Sequence, residues 1–205
     1  MRKFVEDGNN WYQLSDLPVK SFYCGFCGDK VSSDRGYRNG RGPDGSIDIH
    51  GIILICPNCK GPIFFPWSVN QEQIPGPAFG NPIKNLPIEL EKLYEEARQC
   101  TKNLCFTASI LISRKILMNI AVQQGAEEGK TFIQYVSYLS DMGYVPPNGK
   151  GWVDHIRIKG NEANHEIKLM SREEAEMLII FLEMLLKFVY EFPSLIPKSE
   201  EVTKK

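Results

Sequence analysis

Two pairs of cysteines carry the clearest chemistry in this chain. "CGFC", Cys24 to Cys27, and "CPNC", Cys56 to Cys59, are separated by 28 intervening residues. Each CxxC turn can aim two thiolates at one ion, and two such turns complete the tetrahedral shell that zinc takes. Four thiolates leave no open position. The spacing therefore predicts one structural zinc per chain, held by Cys24, Cys27, Cys56 and Cys59. Gly28 and Gly61 suit the tight turns in which backbone amides support ligating sulfurs. A redox dithiol is the competing reading, but two separate pairs and the lack of a thioredoxin-like βαβ pattern count against it. The other two of the six cysteines, Cys100 and Cys105, are five apart. On a continuous helix that spacing sets them on different faces, and core packing accounts for both.

A second cluster is polar. "IRIKGNEANH", Ile156 to His165, holds Arg157, Asn161 and His165 at steps of four. On a helix these drift only about 80° around the axis over a rise of about 12 Å, so all three can line one groove. Metal-independent RNA cleavage needs a base for the ribose 2′-hydroxyl and a cation for the phosphorane charge. Histidine and arginine suit those tasks. Arg114, in "SRK", can add a further cation. The plainer reading is a solvated helix end, where a histidine meets the helix dipole and an asparagine caps. Between the cysteine pairs, "DRGYRNGRG" interleaves Arg35, Arg38 and Arg41 with Tyr37. Such a stretch can grip phosphates and stack a base. It can equally be a solvated loop, since Asp29, Asp34, Asp44 and Asp48 offset its charge. "GAEEGKT", Gly125 to Thr131, is not a phosphate loop: three residues separate its glycines where four are needed, and it follows a helical pattern. It reads as a helix cap and turn.

The elements that must position these residues fall into two kinds. The first 85 residues are rich in turn-formers and show no helical period, and "IDIHGIILICPNC" offers a β-branched strand entering the second cysteine turn. From Leu86 the text changes to a period near 3.6. Leu90, Leu93, Tyr94 and Ala97 make one stripe, and "LCFTASILISRKILMNIAVQQG" is apolar nearly all round, as befits a central helix capped at Gly125. Phe132, Tyr135, Val136 and Leu139 make a third stripe; Trp152, Ile156 and Ala163 make a fourth. Ser171 with Glu174 forms a capping box that opens a fifth helix, with Ala175, Leu178, Leu182, Leu185 and Val189 as its seam and Pro193 as its stop. Short loops imply an antiparallel helical bundle. The expected organisation is a zinc-ribbon module over 1–69, a proline-rich linker over 70–85, a helical bundle over 86–193 and a polar tail over 194–205.

The chain has 205 residues, 42% hydrophobic and 24% charged, with a formal net charge of −1. That is an ordinary globular composition with no whole-protein field to draw in nucleic acid or anionic membrane. No apolar run reaches the length of a membrane span, and "MRKFVEDGNNWYQ" lacks the apolar core of a signal peptide. The expectation is a cytoplasmic protein, where thiols stay reduced and cysteines serve as metal ligands or core residues.

"LYEEARQC", "ASILISRKILMNI", "IRIKGNEANHE" and "SREEAEMLIIFLEMLLKFVYEFP", in this order, resemble the bacterial family DUF4145 within the HEPN superfamily. The resemblance covers approximately Leu86 to Pro193. It implies an all-α HEPN-like helical bundle behind a small β-rich zinc ribbon, frequent homodimerisation, and in many members metal-independent RNA cleavage tied to phage defence or toxin action. Other members of the superfamily bind nucleotides. The HEPN signature is an arginine, usually followed by a polar residue, with a histidine four to six intervening residues later. Asn161 and His165 match the polar residue and the histidine, while Gly160 occupies the arginine's place and Arg157 lies seven intervening residues away. Two functions follow as expectations. One is a protein that binds RNA or nucleotide and cleaves RNA through Arg157, Asn161 and His165. The other is a noncatalytic, dimeric adaptor or nucleic-acid-binding accessory protein, DNA included, docked to a partner in a restriction or defence system.

Overall fold

The computed structural model describes residues 10–40, 50–66, 72–77, 79–146, 149, 151–154, 156 and 169–196. It divides into two compact units, Met1–Phe79 with Thr101–Leu104, and Gly80–Cys100 with Cys105–Lys205. The first carries a four-stranded sheet and the second is helical.

The sheet is an antiparallel meander of β1 (Ser15–Tyr23), β2 (Lys30–Asn39), β3 (Gly51–Ile55) and β4 (Pro62–Pro66), in that spatial order. Tyr23 pairs with Lys30 across the first hairpin, and Ile55 with Pro62 across the second. In a meander β1 and β3 run the same way, so the turns that follow them meet at one end of the sheet. Those turns hold the cysteine pairs. Strand alternation, reset in β1 by a register shift between Asp16 and Lys20, sends Leu17, Phe22, Val31, Leu54, Ile63 and Phe65 into one core that also contains Cys24, Cys56 and Cys59. Phe22 and Phe65 meet edge to face, with ring centroids 5.3 Å apart.

"DRGYRNGRG" is not a loop as far as Asn39. It is strand β2, paired through Gly36↔Leu54 and Tyr37↔Ile53 with β3. Gly36 allows this pairing, because a Cβ there would lie 1.8 Å from the Ile53 carbonyl oxygen. Past β4 the proline-rich segment is pinned rather than free. Phe64 and Ile74 exchange backbone hydrogen bonds of 2.8 Å in both directions, and Gln73 Nε2 donates to Tyr23 O at 2.7 Å.

The helical unit contains α1 (Ile88–Lys102) as far as Cys100, then α2 (Phe106–Gln123), α3 (Phe132–Asp141) and α4 (Arg172–Leu186). Helix α2 packs against both α3 and α4. The α3 stripe of Phe132, Tyr135, Val136 and Leu139 is wholly buried, as are Leu90, Tyr94 and Ala97 of α1, while Leu93 is half-buried. Capping boxes open two helices: Thr131 with Gln134 on α3, and Ser171 with Glu174 on α4. Gly125, at φ +101°, ends α2, so "GAEEGKT" is indeed a cap and turn. Residues 151–154 and 156 are helical, with Val153 and Ile156 buried; Ala163 lies outside the described residues.

The fifth predicted helix does not stop at Pro193. Ala175, Leu178, Leu182 and Leu185 are buried as its seam, and Val189 is half-buried. The chain then widens into a π-helical turn, Lys187–Glu191, and continues as a final helical turn, Phe192–Leu195. Pro193 stands in the first turn of that last segment, where a missing N–H costs nothing. Among the described residues, no helix is long and apolar enough to cross a membrane.

Candidate metal centre

The two cysteine turns are built alike. In the first, Cys24 N–H donates to Asp29 O at 2.9 Å and Gly28 N–H to Cys24 O at 2.8 Å. In the second, Cys56 N–H donates to Gly61 O at 2.9 Å and Lys60 N–H to Cys56 O at 3.0 Å. Each turn needs a left-handed residue four places after its first cysteine. Gly28 fills that place at φ +81°, and Lys60 fills it at φ +63°. Gly61 therefore serves another purpose than the expected one. A Cβ on it would sit 2.4 Å from the Phe26 ring of the opposite turn. The two turns interlock through that contact.

The sulfurs converge. Cys24 Sγ lies 3.6 Å from Cys59 Sγ, and Cys27 Sγ lies 3.8 Å from Cys56 Sγ. All four sulfurs lie within 4.8 Å of one another. A regular tetrahedron with Zn–S bonds of about 2.3 Å has edges of about 3.8 Å. A disulfide would need about 2.05 Å. The short contacts also cross from one turn to the other, whereas a redox CxxC pairs its own two sulfurs. Phe26 N–H donates to Cys24 Sγ at 3.4 Å, the backbone support that such a thiolate needs.

Burial pushes the Cys24 thiol up to about 11 and the Cys27 thiol up to about 12, and it raises Cys59 as well. Burial also works against the Cys56 thiolate, but the backbone amides of Cys59 and Asn58, together with the thiols of Cys24 and Cys59, outweigh it and lower that pKa. Four negative sulfurs this close are stable only around a cation. The donor set can hold a metal ion such as zinc, with three of the four cysteines buried and Cys27 half-buried.

Sequence reasoning missed what braces this end of the sheet. A Cβ on Gly25 would lie 2.4 Å from Pro75 O and 2.5 Å from Gly76 O, so the 72–77 segment lies directly on the first turn. Trp11 Nε1 donates to Lys60 O at 2.7 Å, tying the chain's early residues to the second turn. Glycine inside CxxC and a tryptophan upstream were the available signals, and neither is specific.

Of the other candidate residues, those described lie on β2 and α2. Arg35 donates to Asp16 Oδ1 and, at 3.2 Å, to Leu14 O, so its guanidinium is engaged within the sheet unit. The Tyr37 hydroxyl donates to Tyr12 O. Arg38 is exposed on β2. Arg114 is buried on α2, with its guanidinium 4.4 Å from the centre of the Phe132 ring, and burial lowers its pKa. Arg41, Arg157, Asn161 and His165 lie outside the described residues. Cys100 is half-buried and Cys105 exposed, so core packing fails for the latter.

No curated protein and no solved structure matched the chain. A family model described as "Domain of unknown function (DUF4145)" matches residues 95–205. The chain belongs to the DUF4145 family. The DUF4145 match begins within α1 and takes in α2, α3 and α4. The four-cysteine sheet lies wholly before it, so the metal centre is an addition to the DUF4145 region and not part of it.

Proposed function

We propose that this chain is a zinc-stabilised, HEPN-like member of DUF4145 whose helical unit binds RNA or a nucleotide. In this reading Cys24, Cys27, Cys56 and Cys59 form a zinc ribbon with one structural zinc. Arg157, Asn161 and His165 are the ligand contacts of this reading, with Arg114 as a further cation. The same set would cleave RNA without metal, as a cytoplasmic element of phage defence or a toxin-like system. The observation that carries the reading is the four-sulfur cluster. A closed thiolate shell leaves no open metal position for chemistry, which supports reading the ribbon as a structural module. The engagement of Arg35 and Tyr37 by Asp16, Leu14 and Tyr12 supports the same division, since a candidate phosphate contact and the candidate stacking residue already have partners within the sheet unit.

A noncatalytic adaptor is the second reading. Gly160 in the place of the signature arginine favours it, as does the use of Arg114 for packing on Phe132. Labelled RNA and nucleotide binding by the full chain separates the two, with wild type beside Arg157→Ala and His165→Ala. Loss of one charge-assisted contact should weaken binding by roughly ten- to a hundredfold, about 1.5–3 kcal/mol, with the melting temperature unchanged. A lower melting temperature with binding untouched would leave the motif a helix end and favour the adaptor.

A homodimer through the helical unit belongs to this proposal. Ile180, Phe188 and Phe192 are exposed at steps of four or eight along one face of α4 and its extension. Light scattering at micromolar concentration should give twice the 23.3 kDa chain mass. A clean monomer mass would remove both the dimer and any groove shared between copies.

A further inference from the structure

Cys100 and Cys105 are not set apart by a helix. Helix α1 ends at Lys102, and the chain turns through Leu104 at φ +61°. Cys105 N–H then donates to Cys100 O at 2.8 Å, and Leu104 N–H to Thr101 O at 3.2 Å. These are the two hydrogen bonds of a Schellman motif, in which the side chains at the two outer positions are near neighbours that frequently touch. Here both of those positions are cysteine. Standard bond lengths with the 2.8 Å hydrogen bond place the two Cα atoms at most about 6.7 Å apart. Disulfides span Cα separations of about 4.4–6.8 Å.

We propose that Cys100 and Cys105 form a dithiol site that closes to a disulfide by exchange with a low-molecular-weight disulfide such as oxidised glutathione. Cys105 is exposed, at the N-cap of α2, where a small disulfide can reach its sulfur. Cys100 is half-buried. Burial, with a smaller contribution from Cys105 itself, holds the Cys100 thiol above its ordinary range, which suits the resolving position. The Cys105 thiol releases its proton, and the thiolate attacks one glutathione sulfur. That sulfur–sulfur bond breaks, and the departing glutathione takes up a proton. Cys100 then loses its proton, attacks the Cys105 sulfur and expels the second glutathione as its thiol. Two electrons and two protons leave the protein, and one disulfide becomes two thiols. In a reducing compartment such a bridge is transient and reports an oxidising episode.

Trypsin makes the test direct. Cleavage after Arg98, Lys102 and Arg114 puts the two cysteines on separate peptides, 99–102 and 103–114. The zinc-loaded full chain is incubated with oxidised glutathione, quenched with an alkylating agent and digested without reductant. The expected product is the pair of peptides joined by a bridge, exceeding the glutathione adduct on Cys105 by about ten to one, as intramolecular resolution implies. Cys100→Ser should stop at that adduct. The wild-type digest decides the question even if this variant fails to fold. A stable glutathione adduct on Cys105 in wild type would overturn the proposal. So would full alkylation of both thiols while Cys24, Cys27, Cys56 and Cys59 oxidise.

Discussion

Glycine explains the metal centre at the scale of single residues, but in two different ways. Gly28 is held by its backbone: it stands at φ +81° with nothing within 4 Å of a Cβ. Gly61 is held by space, because the Phe26 ring occupies the position of its Cβ. Gly61→Ala should therefore push the ring outward at a cost of about 1–3 kcal/mol, the range for overpacking. Phe26→Ala in the same chain should cancel most of that cost. Gly28→Ala has no such rescue, because its penalty is conformational, about 1–2 kcal/mol. Urea melts of the zinc-loaded single and double variants check this. Additive losses for Gly61→Ala and Phe26→Ala would mean that the two turns do not interlock. The thiolate set was legible from spacing alone, since CxxC has few other uses in pairs. The Phe26–Gly61 contact was not, because it joins residues 35 positions apart.

At the scale of elements, helix interiors were legible and helix ends only in part. The α3 stripe and the Ser171–Glu174 box follow from period and cap chemistry, and Gly125 is the residue expected at a left-handed helix end. Leucine is not. Leu104 takes that same conformation after α1, so the turn that joins Cys100 to Cys105 carried no signal. Pro193 misled for the mirror reason: proline stops a helix interior but fits a first turn, and the intervening π turn creates one. A further element-level tie is Glu183 on α4, which accepts from Asn81 N at 2.8 Å, from Asn81 Nδ2 at 2.9 Å, and from Lys187 Nζ. Burial opposes its charge, but the bonds from Lys187 and Asn81 prevail and lower its pKa. A carboxylate with a depressed folded pKa gives its full stabilisation above its unfolded pKa, about 4.3, and loses it as pH falls through the lower folded value. Glu183→Gln should cost about 1–3 kcal/mol near neutral pH. It should also flatten the decline in stability of the helical unit below pH ~4.3. Chemical melts across that range test it, and an unchanged acid limb would assign the decline to other groups.

At the scale of the molecule, the change from turn-rich text to helical period near Leu86 was legible, because a 3.6 period that is absent before that point recurs over long windows after it. The role of the proline-rich segment was not. Prolines forbid regular structure without saying what the segment will touch, and here Gln73, Ile74 and Pro75 lie against the sheet and its first cysteine turn. This strap, the meander that brings two hairpin turns to one end, and the core beneath them all converge on four sulfurs that only a cation can hold together as thiolates. The most direct measurement is the zinc content of the full chain purified without added metal, by elemental analysis with a parallel count of reactive thiols. One zinc per chain is expected, with Cys24, Cys27, Cys56 and Cys59 shielded until a chelator removes the metal and the sheet unit unfolds. A zinc content near zero, with those four cysteines in disulfides, would contradict it.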